Sequence, residues 1–268
     1  MRATLNGRAG GEAMSVVLYE KRGHIAIITM NRPERRNAMG RELLMGLAES
    51  WQRFAADDDA WVAILTGTGN SFCAGLDIKE RLETGTASLE LPQIPLRDPF
   101  WHEELEKPTI AAVNGYALGG GFFLASKADF RIAVPNAVFQ VTEVVRGGIA
   151  GWDMLLTREN LPWAIAAELA AGWPLSGERA YQVGFVNRLA EPERLMETAL
   201  AFAQEMLERP PLAVDYNLRL VRALRRQQVP QEVREQARQL ERLLRDSEDM
   251  KESLRAFVER RPPVFQRR

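Results

Sequence analysis

Two glycine-bearing segments are the places where this backbone offers itself to a reacting group. Ser71-Phe72-Cys73-Ala74-Gly75-Leu76-Asp77 is a small-residue turn running into a helix-like stretch, and Gly119-Gly120-Gly121 is a turn opening a helix. Glycine lets a backbone approach a ligand closely, and the first amides of a helix are unpaired donors with partial positive charge. Two such donors aimed at one oxygen make an oxyanion hole, each worth about 3–4 kcal/mol in known cases. Either segment alone also suits a plain packing turn. Other chemistries lack their signals. No Gly-x-Ser-x-Gly elbow, Walker A loop or Gly-x-Gly-x-x-Gly fingerprint occurs. Cys73, among small residues and without a histidine partner in sequence, reads as a packed, inert thiol. His24 and His102 read as structural or solvent-exposed.

The elements that must hold these turns follow from periodicity. Val16–Leu18 and Ile25–Thr29 are β-rich runs around Glu20-Lys21-Arg22-Gly23, a hairpin signal. Leu43, Leu44, Leu47, Trp51 and Phe54 fall at helical spacing within Arg41–Phe54. Trp61–Leu65 and Thr109–Val113 read as buried strands, Phe130–Val134 and Val138–Thr142 as shorter ones. Residues 83–98 carry Pro92 and Pro95 and no period, so an irregular excursion, functional or mobile, is expected there. Ser176 is a candidate cap for a short helix over Glu178–Val183. From Glu193 onward helix formers dominate, broken at Pro210-Pro211 and Pro230. The expected organisation is a disordered tail over 1–14, an α/β core over 15–204 and a helical region over 205–268.

The chain has 268 residues, 46% hydrophobic and 26% charged, with 35 basic against 36 acidic side chains and a formal net charge of −1. That length buries a core without staples. The balance lacks the basic footprint of a nucleic-acid binder. One cysteine and two histidines leave little for a disulfide or a zinc site. No apolar stretch approaches the ~20 residues that span a bilayer, and residues 1–14 lack the apolar centre of a secretory signal. A soluble, cytoplasmic protein is expected.

Longer motifs carry a resemblance. Ile28-Thr29-Met30-Asn31-Arg32-Pro33, Arg36-Asn37-Ala38, Phe72 to Glu80, Lys107 to Gly121, Gly184-Phe185-Val186-Asn187 and Phe257 to Phe265 stand in the order found in the enoyl-CoA hydratase/isomerase (crotonase) family, which the chain resembles over most of its length. The resemblance implies a superhelix of ββα units whose C-terminal helices build a trimer, often doubled to a hexamer. It implies an acyl-CoA substrate and no permanently bound cofactor, coenzyme A entering as part of the thioester. The thioester carbonyl would sit between the amides of Leu76 and Gly120. Ala74, Asp77 and Ile78 would line the adenine side, mainly through backbone atoms, with Arg36 and Ala38 on the CoA entry wall. Phe265 would reach toward CoA from the tail, where Pro262 replaces a lysine often found in the family.

The resemblance also has a departure. Hydratases of the family usually carry two glutamates, and this chain has Phe123 at the first position but keeps Glu143 at the second. Glu143 is then the expected acid/base, with Asp153 in reserve and Arg146 expected to pair with one of these acids or with a polar acyl tail. Phe122, Phe123, Trp101 and Trp152 hint at an apolar pocket. The expected chemistry is hydration or double-bond isomerisation through a thioester enolate. The alternatives are decarboxylation, retro-aldol cleavage or thioester hydrolysis from the same intermediate, or CoA binding with catalysis lost.

Overall fold

Gly23, at φ +57°, turns the chain between Val17–Arg22 (β1) and Ile25–Met30 (β2), which pair antiparallel with Val17 opposite Met30. A computed structural model describes residues 15–85, 91–149, 161–225 and 230–266. The expected tail over 1–14, Trp152 and Asp153 lie outside the described residues. After the hairpin comes Arg41–Ala56 (α1), which buries Leu43, Leu44, Leu47, Trp51 and Phe54 against β1 and β2. Its first amide, from Arg41, donates to Glu80 Oε1 at 2.7 Å, a carboxylate at a helix start.

Three times the described chain then places a strand in one sheet, a strand in a second and a helix. Val62–Gly67 (β3), Ser71–Cys73 (β4) and Ile78–Glu83 (α2) form the first unit. Thr109–Val113 (β5), Tyr116–Leu118 (β6) and Gly120–Lys127 (α3) form the second. Phe130–Ala133 (β7), Val138–Gln140 (β8) and Trp163–Ala170 (α4) form the third. Leu175–Ser176 (β9), Gly177–Gln182 (α5) and Arg188–Leu189 (β10) follow. The larger sheet has the order β1-β2-β3-β5-β7-β10, parallel beyond the hairpin, and the smaller has β4-β6-β8-β9. Strands such as β5, buried at every residue, are covered on both faces, as a parallel sheet requires. The expected ββα superhelix is the observed architecture.

Leu195–Leu207 (α6) packs on β3, β5 and β7 and runs through residue 205, the expected start of the helical region. Pro211–Arg225 (α7), Gln231–Asp246 (α8) and Glu248–Glu259 (α9) complete the chain. Arg222 of α7 forms a two-point pair with Asp129, Nε to Oδ1 at 2.7 Å and Nη2 to Oδ2 at 2.6 Å, and also donates to the carbonyls of Leu105, Glu106 and Lys107. Among the described residues no helix is long and apolar enough to cross a membrane.

Candidate functional site

The first glycine segment is fixed by an isolated bridge. Met39 N donates to Gly75 O at 2.7 Å, and Asp77 N donates to Met39 O at 3.2 Å. A parallel bridge of this kind engages the two neighbours of Leu76 and leaves Leu76's own N–H pointing elsewhere. Gly75 is at φ +85°, and a methyl group there would stand 2.6 Å from Leu118 O and 3.3 Å from Gly120 N. Only glycine fits so close an approach. Gly119, at φ +52°, donates to Gln140 O at 2.8 Å, and Gly120 opens α3 with a first-turn amide. Among the described residues neither the Leu76 nor the Gly120 amide has a backbone acceptor. Both residues line one cavity of about 720 Å³.

The other end of α3 is anchored by a buried cation. Arg131 Nη1 donates to the carbonyls of Ala125, Ser126 and Ala128 at 3.0–3.3 Å, a charge placed where the helix dipole is negative. At the N-terminal end, a side chain on Gly121 would overlap the Cys73 carbonyl. That contact locks α3 onto β4. The Cys73 thiol is buried and pushed up to about 12 by desolvation, so it is an inert packing group, as read from sequence.

Glu143 follows β8 and leads into a single helical turn, Val144–Arg146. Its carboxylate lies against Gly119, where an added methyl would meet Oε1 at 2.9 Å. Among the described residues Oε2 is buried without a hydrogen-bond partner. Desolvation pushes this carboxyl above its ordinary range, with the backbone amides of Glu143 and Thr142 opposing the shift. Phe123 faces the same cavity, so the position of the family's first glutamate is apolar here. The other carboxylate lining the cavity, Glu241, is exposed.

Of the residues expected on the CoA side, Arg36 and Ala38 lie on a segment paired with the one that carries Ala74, Asp77 and Ile78. Arg36, itself at φ +52°, accepts a bond from Ala74 N at 3.0 Å through its carbonyl, and its guanidinium lies 5.9 Å from the centre of the Tyr116 ring. Ala38 is buried, its carbonyl held by Arg32 Nη1 at 3.0 Å. Asp77 is buried, caps α2 by accepting from Glu80 N at 3.0 Å, and sits 3.3 Å from Arg32 Nη2. That last contact is an ion pair without aligned hydrogen-bond geometry, since Asp77 Oδ2 finds no donor. The Asp77 side chain is thus a structural group, and its backbone is engaged as well, the N–H by Met39 O and the carbonyl by Arg81 N. Ile78 opens α2 beside it. Phe265 is exposed, in a tail tied to α9 by Glu252 Oε1, which accepts from Val264 N at 3.0 Å.

Helices α8 and α9 roof the cavity with Leu244, Met250 and Leu254. Ser253 Oγ donates to Val145 O at 3.2 Å, and an added methyl on Gly147 would lie 3.0 Å from Met250 Cα. Among the described residues Arg146 has no acid partner, and Asp153, one of the two acids expected for it, lies outside them. The Arg146 guanidinium stacks 4.2 Å from the Phe257 ring of α9, where burial lowers its basicity. His24 stacks on Trp61 at 3.8 Å and His102 turns to the carbonyl of Asp98, both structural. No group of three or more potential metal ligands occurs among the described residues. Of the aromatic residues expected at the pocket, Phe123 and Trp101 line it, while Phe122 is core, stacked on Phe185.

Sequence reasoning missed three positioning residues. Asn37 is fully buried, accepts from Arg32 N at 2.8 Å and donates to the carbonyls of Thr68 and Ser71. It stood inside a quoted motif, yet nothing local marks its partners. Met39 and Arg131 carry no signal at all in a single sequence.

Comparison with known proteins agrees with this geometry. A family model described as enoyl-CoA hydratase/isomerase matches residues 20–268. The chain is 37% identical to (E)-benzylidenesuccinyl-CoA hydratase of Thauera aromatica, covering 93% of this chain and 98% of that one. It is 34% identical to 2,3-dehydroadipyl-CoA hydratase of Escherichia coli, covering 95% and 100%. The crystal structure of a carnitinyl-CoA hydratase from Mycobacterium avium superposes with a TM-score of 0.82 at 33% identity, over 96% of this chain and 100% of that one. With its ββα units, its paired glycine turns and these matches over nearly the whole length, the chain belongs to the enoyl-CoA hydratase/isomerase family of acyl-CoA enzymes.

Proposed function

We propose that the protein hydrates or isomerises an enoyl-CoA, with the thioester oxygen held by the amides of Leu76 and Gly120 and Glu143 as the acid/base. The observation that carries this is Oε2 of Glu143, buried and without a partner among the described residues, beside Gly119 in the cavity that Leu76 and Gly120 also line. In hydration, the carboxylate takes a proton from water as its oxygen bonds to Cβ. The C=C electron pair moves to the thioester oxygen, and the enolate recovers the same proton at Cα, for a net gain of one water. In isomerisation, Glu143 removes a proton from the carbon between the thioester and a β,γ double bond, and returns it at Cγ. Both routes place negative charge on the oxygen that the two amides face, where they stabilise it most. The hydratase names of the relatives support the first.

Glu143→Gln tests the assignment. The variant should bind acyl-CoA nearly as the wild type does and lose roughly 10²-fold or more in turnover. Mass spectrometry over an acyl-CoA panel reads out the reaction: gain of water, a shifted double bond, or loss of carbon dioxide. Wild-type turnover in a folded Glu143→Gln enzyme, beside a dead Asp153→Asn enzyme, would move the role to Asp153. Phe123 favours a second reading, CoA binding without catalysis, and tight binding with no turnover on the whole panel would establish it. We further propose a homotrimer or homohexamer, built through the apolar residues exposed on α7, and residence in the cytoplasm.

A further inference from the structure

Resting on the acyl-CoA reading, we propose that Trp101 is the partition that sets the upper limit on acyl-chain length. Beside the 720 Å³ cavity lies a second pocket of about 430 Å³, lined by Leu44, Ile94, Pro95 and Leu96 among others. Among the described residues the two spaces share two walls, Leu91 and Trp101. One side of this partition faces Leu76, Gly120 and Glu143, and the other faces a part-apolar pocket, also lined by Gln93, Arg97, Asp98 and His102, that the proposed chemistry does not use.

The backbone at Trp101 is fixed by its neighbours, and the indole itself is faced by Lys127. Asp98 is buried, and its Oδ1 accepts from the amides of Phe100 and Trp101, each at 2.9 Å. Phe100 stacks on the core residue Trp51 at 4.3 Å, fixing the turn to α1. Lys127 Nζ lies 5.1 Å from the centre of the Trp101 ring and pairs with Glu103 at 3.0 Å. Lys127 stands one turn after Phe123 on α3, so the helix that supplies the Gly120 amide also braces the partition. With its backbone held by Asp98 and its ring faced by Lys127, Trp101 forms the wall at which a straight acyl chain leaving the thioester stops. The occupant assigned to the second pocket, once the wall is removed, is the apolar end of a longer linear acyl chain.

The test compares binding of butyryl-, octanoyl- and lauroyl-CoA by calorimetry, saturated probes that require no turnover. In Trp101→Ala the affinity for lauroyl-CoA relative to butyryl-CoA should rise at least about tenfold over wild type, the gain from burying two or more further methylenes. Ile94→Trp, introduced into the alanine variant, should refill the pocket and reverse the gain. Should Trp101→Ala fail to fold, Trp101→Leu carries the same comparison. An unchanged lauroyl-to-butyryl ratio in the folded variant overturns the proposal. Failure of every acyl-CoA to bind the wild type would instead overturn the acyl-CoA reading on which it rests.

Discussion

Desolvation holds the Glu143 carboxyl above the usual carboxylate range, and linkage gives that shift a direction in stability. The folded state keeps the proton longer than the unfolded chain does. As pH rises through the ordinary carboxylate range toward the raised folded value, the unfolded chain ionises first and the native state loses stability. Glu143→Gln removes this cost. Urea midpoints of wild type and variant, measured from about pH 4 to about pH 8, should therefore diverge, with the wild type falling relative to the variant. Parallel curves would mean that the carboxyl is solvated. Leu76 separates backbone from side-chain roles at the same scale. Leu76→Ala keeps the amide and should retain much of the activity, whereas Leu76→Pro lacks the N–H. On the proposed mechanism, folded Leu76→Pro should lose about 10²-fold or more in kcat. Equal kcat in the two folded variants would take Leu76 out of the oxyanion hole.

Between residue and molecule, the site depends on short segments whose order comes from buried polar anchors. The strip from Arg32 to Met39 runs beside Ala74–Asp77 because Asn37 reaches across to Thr68 and Ser71 while holding Arg32. Asn37→Ala leaves these buried groups unpaired and should destabilise the fold by about 1–3 kcal/mol, read as a lower urea midpoint. The same variant should raise KM for acyl-CoA more than it lowers kcat, since the strip faces the proposed CoA side. A stability equal to wild type would show that water replaces the amide. Strand length explains which elements were legible. β5, with five consecutive buried residues, was read correctly, and so was α1, with its period. Of the three-residue strands, β4 was read as part of a turn and β6 was not assigned, because so few residues show no alternation. Those two strands carry the glycine turns into the site.

At the scale of the molecule, α7 combines a deep anchor with an exposed apolar face. Arg222 ties it to Asp129, while Leu212, Tyr216 and Leu220, spaced by single helical turns, face outward, and Trp163 and Trp173 are also exposed. Apolar side chains repeated along a helix face mark a contact surface rather than a solvated one. Light scattering at micromolar concentration should give a trimer or its double, and Leu220→Glu with Tyr216→Glu should shift it toward monomer. A stable wild-type monomer would remove the assembly from the proposal.

Sequence alone determined the family, through ordered motifs from Ile28 to Phe265, and the architecture came with the family rather than from local periods, which the three-residue strands do not carry. It also determined the absence of a second glutamate, since Phe123 is a matter of side-chain type. Tertiary structure decided what depends on contact between distant segments. Gly75 meets Gly120 only through the pairing of β4 with β6. Arg146 turns to Phe257 because α9 folds back over the tight turn after Glu143. The Glu143 carboxyl is raised by burial that residues far along the chain create, and Trp101 becomes a wall only where the excursion before β5 meets α3. Desolvation and steric closure are sums over neighbours in space, and a single sequence records neighbours only along the chain.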